Sequence, residues 1–291
     1  MSIQINDIVA VIKAFAPNAK PNYQQAIEQG DALFQQHQIN TPQRLAHFFA
    51  QALHETGNFS VLRENMNYSE ERLLQIFGVG KHSAAITPAE AKTLAHNPEK
   101  IAERIYGLGN PKMANMLGNT QAGDGYLYRG NGVLQTTGRD NHKRMGIACG
   151  VDFENHPDLV TDPQHALKPA LQKWTDDHLN TYADQNDITT ITKKINGGSI
   201  GLPERKALFE KLLPAFNAKQ APDDNSMKWL QQSLNDLGAN PKLTVDGLSG
   251  PATVQAVKIF QTQAHLTADG KAGPMTKAAI KQALADLGKG G

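Results

Sequence analysis

Apolar residues in this chain recur at helical spacing far more often than they alternate. Thr41 stands where an N-cap belongs, Pro42 suits a first helical position, and Gly57 suits a left-handed stop. Between them Leu45, Phe48, Phe49 and Ala52 fall on one stripe, so the pattern predicts a helix ending just before Gly57. Ser69 likewise precedes EERLLQIF, with two acids in the first turn and Leu73, Leu74 and Phe77 forming an apolar stripe. The N-terminal MSIQINDIVAVIKAF reads as an amphipathic helix, and segments 88–106, 163–182 and 203–217 read as further helices. Period-two alternation is confined to a short candidate strand around Gly132 to Thr136. The expected fold class is mainly α.

Near the C-terminal end the pattern becomes repetitive. DGLSGPATVQAVK begins at Asp246 and DGKAGPMTKAAIK at Asp269, twenty-three residues later. In each copy Asp-Gly turns the chain, Gly-Pro shapes a helix entry, and a threonine follows in the first turns. With a helix starting near Ser226, the repeat predicts a small three-helix domain, although turn–helix repeats can be scaffold and nothing more. The polar, proline-containing NAKQAPDDN at 217–225 reads as a linker. It would separate a larger domain, residues 1–216, from residues 226–291.

Composition narrows the classes. A chain of 291 residues with 40% hydrophobic and 20% charged residues can bury one large core or two smaller ones. A net charge of +1 gives no broad electrostatic reason to bind nucleic acid or membrane, so a polymer would be gripped by hydrogen bonds in a groove. Cys149 is the single cysteine, which excludes an intramolecular disulfide and reads as a small buried hydrophobe. No run of eighteen apolar residues predicts a membrane span, and the N-terminus lacks the basic and apolar regions of a secretory signal. The expectation is synthesis in the cytoplasm, no membrane insertion, and release by other means towards any extracellular target.

The candidate chemistry lies in AHFFAQALHETGNFSVLRENMNY, residues 46–68, where Glu55 and Glu64 flank the predicted helix stop. Two carboxyl groups in different environments are the minimum for acid/base cleavage of a glycosidic bond. Glu55 shares a stripe with Phe48 and Ala52 and falls in the last helical turn, where the macrodipole disfavours a further negative charge. Both effects would keep it protonated, as a general acid needs. Glu64, in the polar LRENMNY, would stay ionised and activate a water as general base. The plainer reading makes each a solvated surface glutamate, and spacing alone leaves the two readings level.

HFFAQALHETGNF, then ENMNYS, and later YRGNGVLQTTGRDNH resemble glycoside hydrolase family 19, in its phage-endolysin branch, over about residues 40–210. That family includes plant chitinases. The resemblance implies an α-helical, lysozyme-like catalytic domain that inverts configuration by single displacement and needs no cofactor or metal. By motif position Glu55 would be the general acid, Glu64 the general base, and Thr137 of QTTG would position the nucleophilic water. Gln135 and Asn141 would hydrogen-bond the sugar chain, Asn196 of INGG would bind an N-acetyl or hydroxyl group, Arg205 would sit near the acid, and His54 would line the cleft. On chemistry alone Thr137 could equally be a capping hydroxyl, Asn196 a turn residue, Arg205 a surface cation and His54 a packed helix residue. Tyr128 and Arg129 could be cleft or support residues.

Two departures from the plant pattern stand out. The glutamates lie closer in sequence, and after INGG the chain runs SIGLPER without the acid that closely follows the glycines there, which puts the network around Arg205 in question. The C-terminal repeat, with FQ at Phe260–Gln261, resembles the peptidoglycan-binding domain 1 family over about residues 226–285. Asp246, Gly247, Asp269 and Gly270 would be its turn-forming residues. Together the resemblances imply a monomeric endolysin that cuts the β-1,4 bond between N-acetylmuramic acid and N-acetylglucosamine, with peptidoglycan as its partner and a holin or other membrane lesion as its route to the wall. The competing readings are a chitinase, a lytic transglycosylase and a non-catalytic wall-binding protein. A zinc amidase is disfavoured because no HExxH helix or cysteine–histidine ligand spacing occurs among the ten histidines.

Overall fold

The computed structural model describes residues 3–219 and 226–288. The chain divides into two compact units, residues 2–219 and residues 220–291. Seventeen α-helices form among the described residues, joined by turns and isolated bridges, so the mainly α expectation holds.

The larger unit begins with α1 (Ile5–Phe15), α2 (Pro21–Glu28), α3 (Asp31–Gln36) and α4 (Pro42–Glu55). The predicted cap of α4 is present: Thr41 Oγ1 accepts from the Arg44 N–H at 3.3 Å, with Pro42 in the first turn. The sequence showed one apolar stripe, yet α4 is buried on all sides from Leu45 through Leu53. Phe48 meets Trp174 edge-on at 5.4 Å and Phe49 stacks on Phe216 at 6.0 Å. A helix enclosed this way must satisfy its polar side chains internally. His47 therefore pairs through Nε2 with Asn186 at 3.0 Å, and Gln51 turns towards Thr192 and Arg205.

A second cluster, built on Met66, Leu73, Phe77, Ile86, Ile101 and Ile105, belongs to α5 (Glu70–Phe77), α6 (Pro88–Leu94) and α7 (Pro98–Tyr106). Segment 88–106 is thus two helices and not one. Pro98 cannot donate an interior hydrogen bond, and Asn97 Oδ1 caps the Lys100 N–H at 3.1 Å to start the second. Short helices α8 (Pro111–Leu117) and α9 (Asp124–Leu127) lead to α10 (Arg139–Cys149). Segment 163–182 likewise breaks, into α11 (Lys168–Asp176) and α12 (Leu179–Asp184), because His178 adopts a left-handed φ of 55° between them. After α13 (Ile188–Asn196), α14 (Leu202–Asn217) packs along α4 as its principal partner.

The candidate strand at Gly132 to Thr136 is a tight loop. Asn131 and Thr136 exchange backbone hydrogen bonds at 3.2 and 2.8 Å, while Gly132 and Gln135 take positive φ values of 77° and 52°. Alternation there reflects a chain reversal, with Val133 and Leu134 turned into the main core.

The smaller unit holds α15 (Met227–Asp236), α16 (Pro251–Gln263) and α17 (Pro274–Asp286) around Leu230, Leu234, Val257, Phe260 and Ile280. Its repeat extends beyond the turns. Buried Gln231 donates to Asp246 Oδ1, the Leu248 carbonyl and Thr253 Oγ1 at 2.8–3.2 Å, and accepts from the Gly247 N–H at 2.8 Å. Gln261 does the same for Asp269, the Lys271 carbonyl, Thr276 and the Gly270 N–H at 2.8–3.0 Å. The aspartates and glycines are turn-forming, as expected. The expected linker at 217–225 lies largely outside the described residues, and α14 runs through its first position.

Candidate active site

The C-terminal end of α4 presents Gln51 and Glu55, one turn apart on the same face. Arg205, in the first turns of α14 and only 1% exposed, spans them. Its Nη1 donates to Gln51 Oε1 at 2.6 Å and its Nη2 to Glu55 Oε1, while Nε has no partner among the described residues. The guanidinium is therefore a buried cation whose one ionic partner among the described residues is Glu55, and its fork donates to Gln51 and Glu55 at once.

His54 adjoins this pair. Gly201 packs against its ring so closely that a Cβ there would lie 2.2 Å from Nε2, and Gly201 has a left-handed φ of 73°. Both facts require glycine at this entry to α14. Burial, then the Arg205 charge, lower the His54 pKa against the opposing pull of Glu55 and Glu204. Asn196, exposed at the end of α13, donates from Nδ2 to the Ile200 carbonyl at 2.8 Å and so closes the loop that leads to Gly201.

Beyond Glu55 the helix is stopped by Thr56, whose hydroxyl donates to the Ala52 carbonyl at 2.6 Å and accepts from the Phe59 N–H at 2.8 Å. The chain then runs to Glu64, where it is clamped on the loop 130–137. Leu62 accepts from the Gly132 N–H at 2.9 Å, and the Glu64 N–H donates to the Gly130 carbonyl at 2.7 Å. A Cβ on Gly130 would sit 2.4 Å from Gln135 Oε1 and 3.1 Å from Thr137 Oγ1, so glycine lets both side chains gather there. Thr137 donates to the Gln135 carbonyl at 3.3 Å, and Asn141 Nδ2 donates to the Thr137 carbonyl at 2.7 Å. Behind them Arg139 is tied to buried Asp124 by bonds of 2.6 and 3.0 Å, fixing the start of α10.

Glu64 does not sit in an open polar segment. It is half-buried, and the Tyr106 hydroxyl donates to its Oε1 at 2.9 Å. Burial raises its pKa above the ordinary carboxylate value, opposed by the Tyr106 hydroxyl, a Gly130 backbone hydrogen bond and the charge of Arg129. Glu55, expected on an apolar stripe with Arg205 near it, faces that cation, and Glu64, expected to stay ionised in a polar segment, is desolvated.

The structure therefore gathers the predicted residues into two groups joined by the segment 56–63. One holds His54, Glu55 and Arg205, with Asn196 on the loop approaching it. The other holds Glu64, Gln135, Thr137 and Asn141 around Gly130. Gln51 and Tyr106 went unrecognised in the sequence. Gln51 carried a signal, lying four residues before Glu55 on a helix; Tyr106 carried none, forty-two residues from Glu64.

The chain thus carries an α-helical unit with two partly buried glutamates held by polar side chains, and a separate three-helix unit. A glycosyl hydrolase family 19 domain-containing protein of Haemophilus influenzae is 37% identical over 174 residues, covering 59% of this chain and 80% of that protein. The chain belongs to glycosyl hydrolase family 19. Residues 223–280 match the family "Putative peptidoglycan binding domain". Among solved structures, chitinase C from Streptomyces griseus HUT6037 is similar with a TM-score of 0.46 and 18% identity, over 72% of this chain and 91% of that one. A mutant of chitinase C gives a TM-score of 0.46 and 17% identity, over 74% and 78%.

Proposed function

We propose that the protein is an endolysin, a peptidoglycan hydrolase that cuts the β-1,4 bond between N-acetylmuramic acid and N-acetylglucosamine with inversion. The observation that carries this reading is the union, in one chain, of a family 19 unit and a peptidoglycan-binding unit. Tethering by the second unit raises the local concentration of wall substrate seen by the first. Glu55 donates its proton to the glycosidic oxygen as the C1–O bond breaks. Glu64 takes a proton from water as the water oxygen bonds to C1 from the opposite face. Thr137, whose hydroxyl hydrogen is directed at the Gln135 carbonyl, offers its lone pairs to that water. Gln135, Asn141, Asn196 and His54 contact the sugars, and Arg205 orients Glu55. The protein acts as a monomer without a cofactor, reaching the wall from the host cytoplasm through a holin-type lesion.

A second reading exchanges the two carboxylates. Burial raises the Glu64 pKa, as a general acid needs, which favours Glu64 as acid and leaves Glu55 as base. A disaccharide with an activated aryl leaving group separates the two, because loss of the acid matters least when the leaving group needs no proton. Under the first reading Glu55→Gln keeps most activity on that substrate and Glu64→Gln does not. On purified sacculi Glu55→Gln loses about a hundredfold to ten-thousandfold in rate; near-wild-type lysis would refute the proposed role of Glu55.

A further inference from the structure

We infer that Tyr106 is a positioning residue for the reaction: its hydroxyl fixes one oxygen of Glu64 and leaves the other to face the reacting water. This rests on the reading of Glu64 as the base. Tyr106 closes α7, and its ring packs on the second hydrophobic cluster, apart from the core that surrounds α4. The end of α7 is locked on every side. Asn119 Nδ2 donates to the Tyr106 carbonyl at 2.9 Å, and Asn110 Nδ2 donates to the Ile105 carbonyl at 3.0 Å. Glu103 accepts from the N–H groups of Leu108, Gly123 and Gly125 at 3.0–3.2 Å. Those loops hold the phenol in place, so the hydroxyl approaches Oε1 from a rigid support.

The donor is also permanent. Burial and the neighbouring Glu64 charge push the Tyr106 pKa far above the usual phenol range, so the hydroxyl keeps its proton wherever the protein works. The groups facing Glu64 are Tyr106 from α7, Arg129 and the Gly130 backbone from the loop after α9, and Tyr68 from the segment before α5. Arg129 is spoken for: it stacks on Tyr126 at 3.9 Å and donates to the Tyr126 carbonyl at 2.7 Å. Tyr106 is therefore the side-chain donor that sets the orientation of the carboxylate. A hydrogen bond to a charged acceptor is stronger than a neutral one, so its loss acts on both orientation and ionisation.

The test is Tyr106→Phe in the full chain, with kcat and KM on soluble peptidoglycan fragments followed across pH. The inference expects kcat to fall about tenfold with KM within about twofold. Removing the donor disfavours the ionised carboxylate, so the limb where activity is lost on acidification moves to higher pH. In a Glu64→Gln background the same change has no further effect on kcat. If Tyr106→Phe fails to fold, 3-fluorotyrosine at position 106 keeps the shape and strengthens the donor, and the acid limb moves to lower pH. A folded Tyr106→Phe enzyme with wild-type kcat and an unmoved limb, where Glu64→Gln is inactive, overturns this inference alone. A fully active Glu64→Gln enzyme overturns the assignment of Glu64 on which it rests.

Discussion

The two glutamates are held by opposite physics, and their stabilities should respond oppositely to the same change. Glu55→Gln removes the ionic partner of a guanidinium that is 1% exposed, and an uncompensated buried cation costs about 3 kcal/mol. Glu64→Gln removes a charge that burial disfavours. Because the folded pKa of Glu64 lies above its unfolded value, the folded chain holds that proton more tightly. The resulting stabilisation is complete below the unfolded pKa and is lost as pH rises through the folded pKa. At pH 7 ionised Glu64 therefore weakens the fold, and its neutral amide should raise the melting temperature while turnover drops about a hundredfold or more. Thermal unfolding of both variants at pH 7 and pH 4 checks this: the gain from Glu64→Gln shrinks at the lower pH. A melting temperature lowered by both substitutions at pH 7 would contradict the desolvated setting of Glu64.

At the scale of elements, legibility followed from whether a signal is local. The caps at Thr41 and Ser69, the proline at position 42 and the DGxxGPxT turns were readable because each rests on contacts a few residues apart. The break before Pro98 is also written in the sequence, as an Asn-Pro pair inside an apolar pattern. What pairs with Arg205 was partly legible, since Gln51 and Glu55 are one turn apart, but Tyr106 reaches Glu64 only because two hydrophobic clusters fold side by side. In the smaller unit the visible repeat of turns concealed a repeat of buried glutamines. Gln261→Ala would strip four hydrogen bonds from the second turn, one of them to the Gly270 N–H. Loss of about 2–3 kcal/mol is expected, seen as an earlier unfolding transition and weaker retention on sacculi. Turnover on soluble fragments should be unchanged, because the larger unit has its own core.

The whole molecule joins a glycoside hydrolase to a peptidoglycan-binding unit, and the pairing makes a prediction that neither unit makes alone. A chain ending at Lys219 should cleave soluble glycan fragments within about twofold of the full-length rate, yet lose about tenfold or more on insoluble sacculi at low enzyme concentration. Equal loss on both substrates would mean that the second unit stabilises the first and does not tether it. The central claim is chemical: two carboxyls cut a glycosidic bond by adding water from the face opposite the leaving group. Proton NMR of the fragments freshly released from purified peptidoglycan addresses it directly, before the new reducing ends mutarotate. The account predicts N-acetylmuramic acid at the reducing end, appearing first as the α-anomer. A first-formed β-anomer, an anhydro-muramic terminus or fragments without a new reducing end would contradict it.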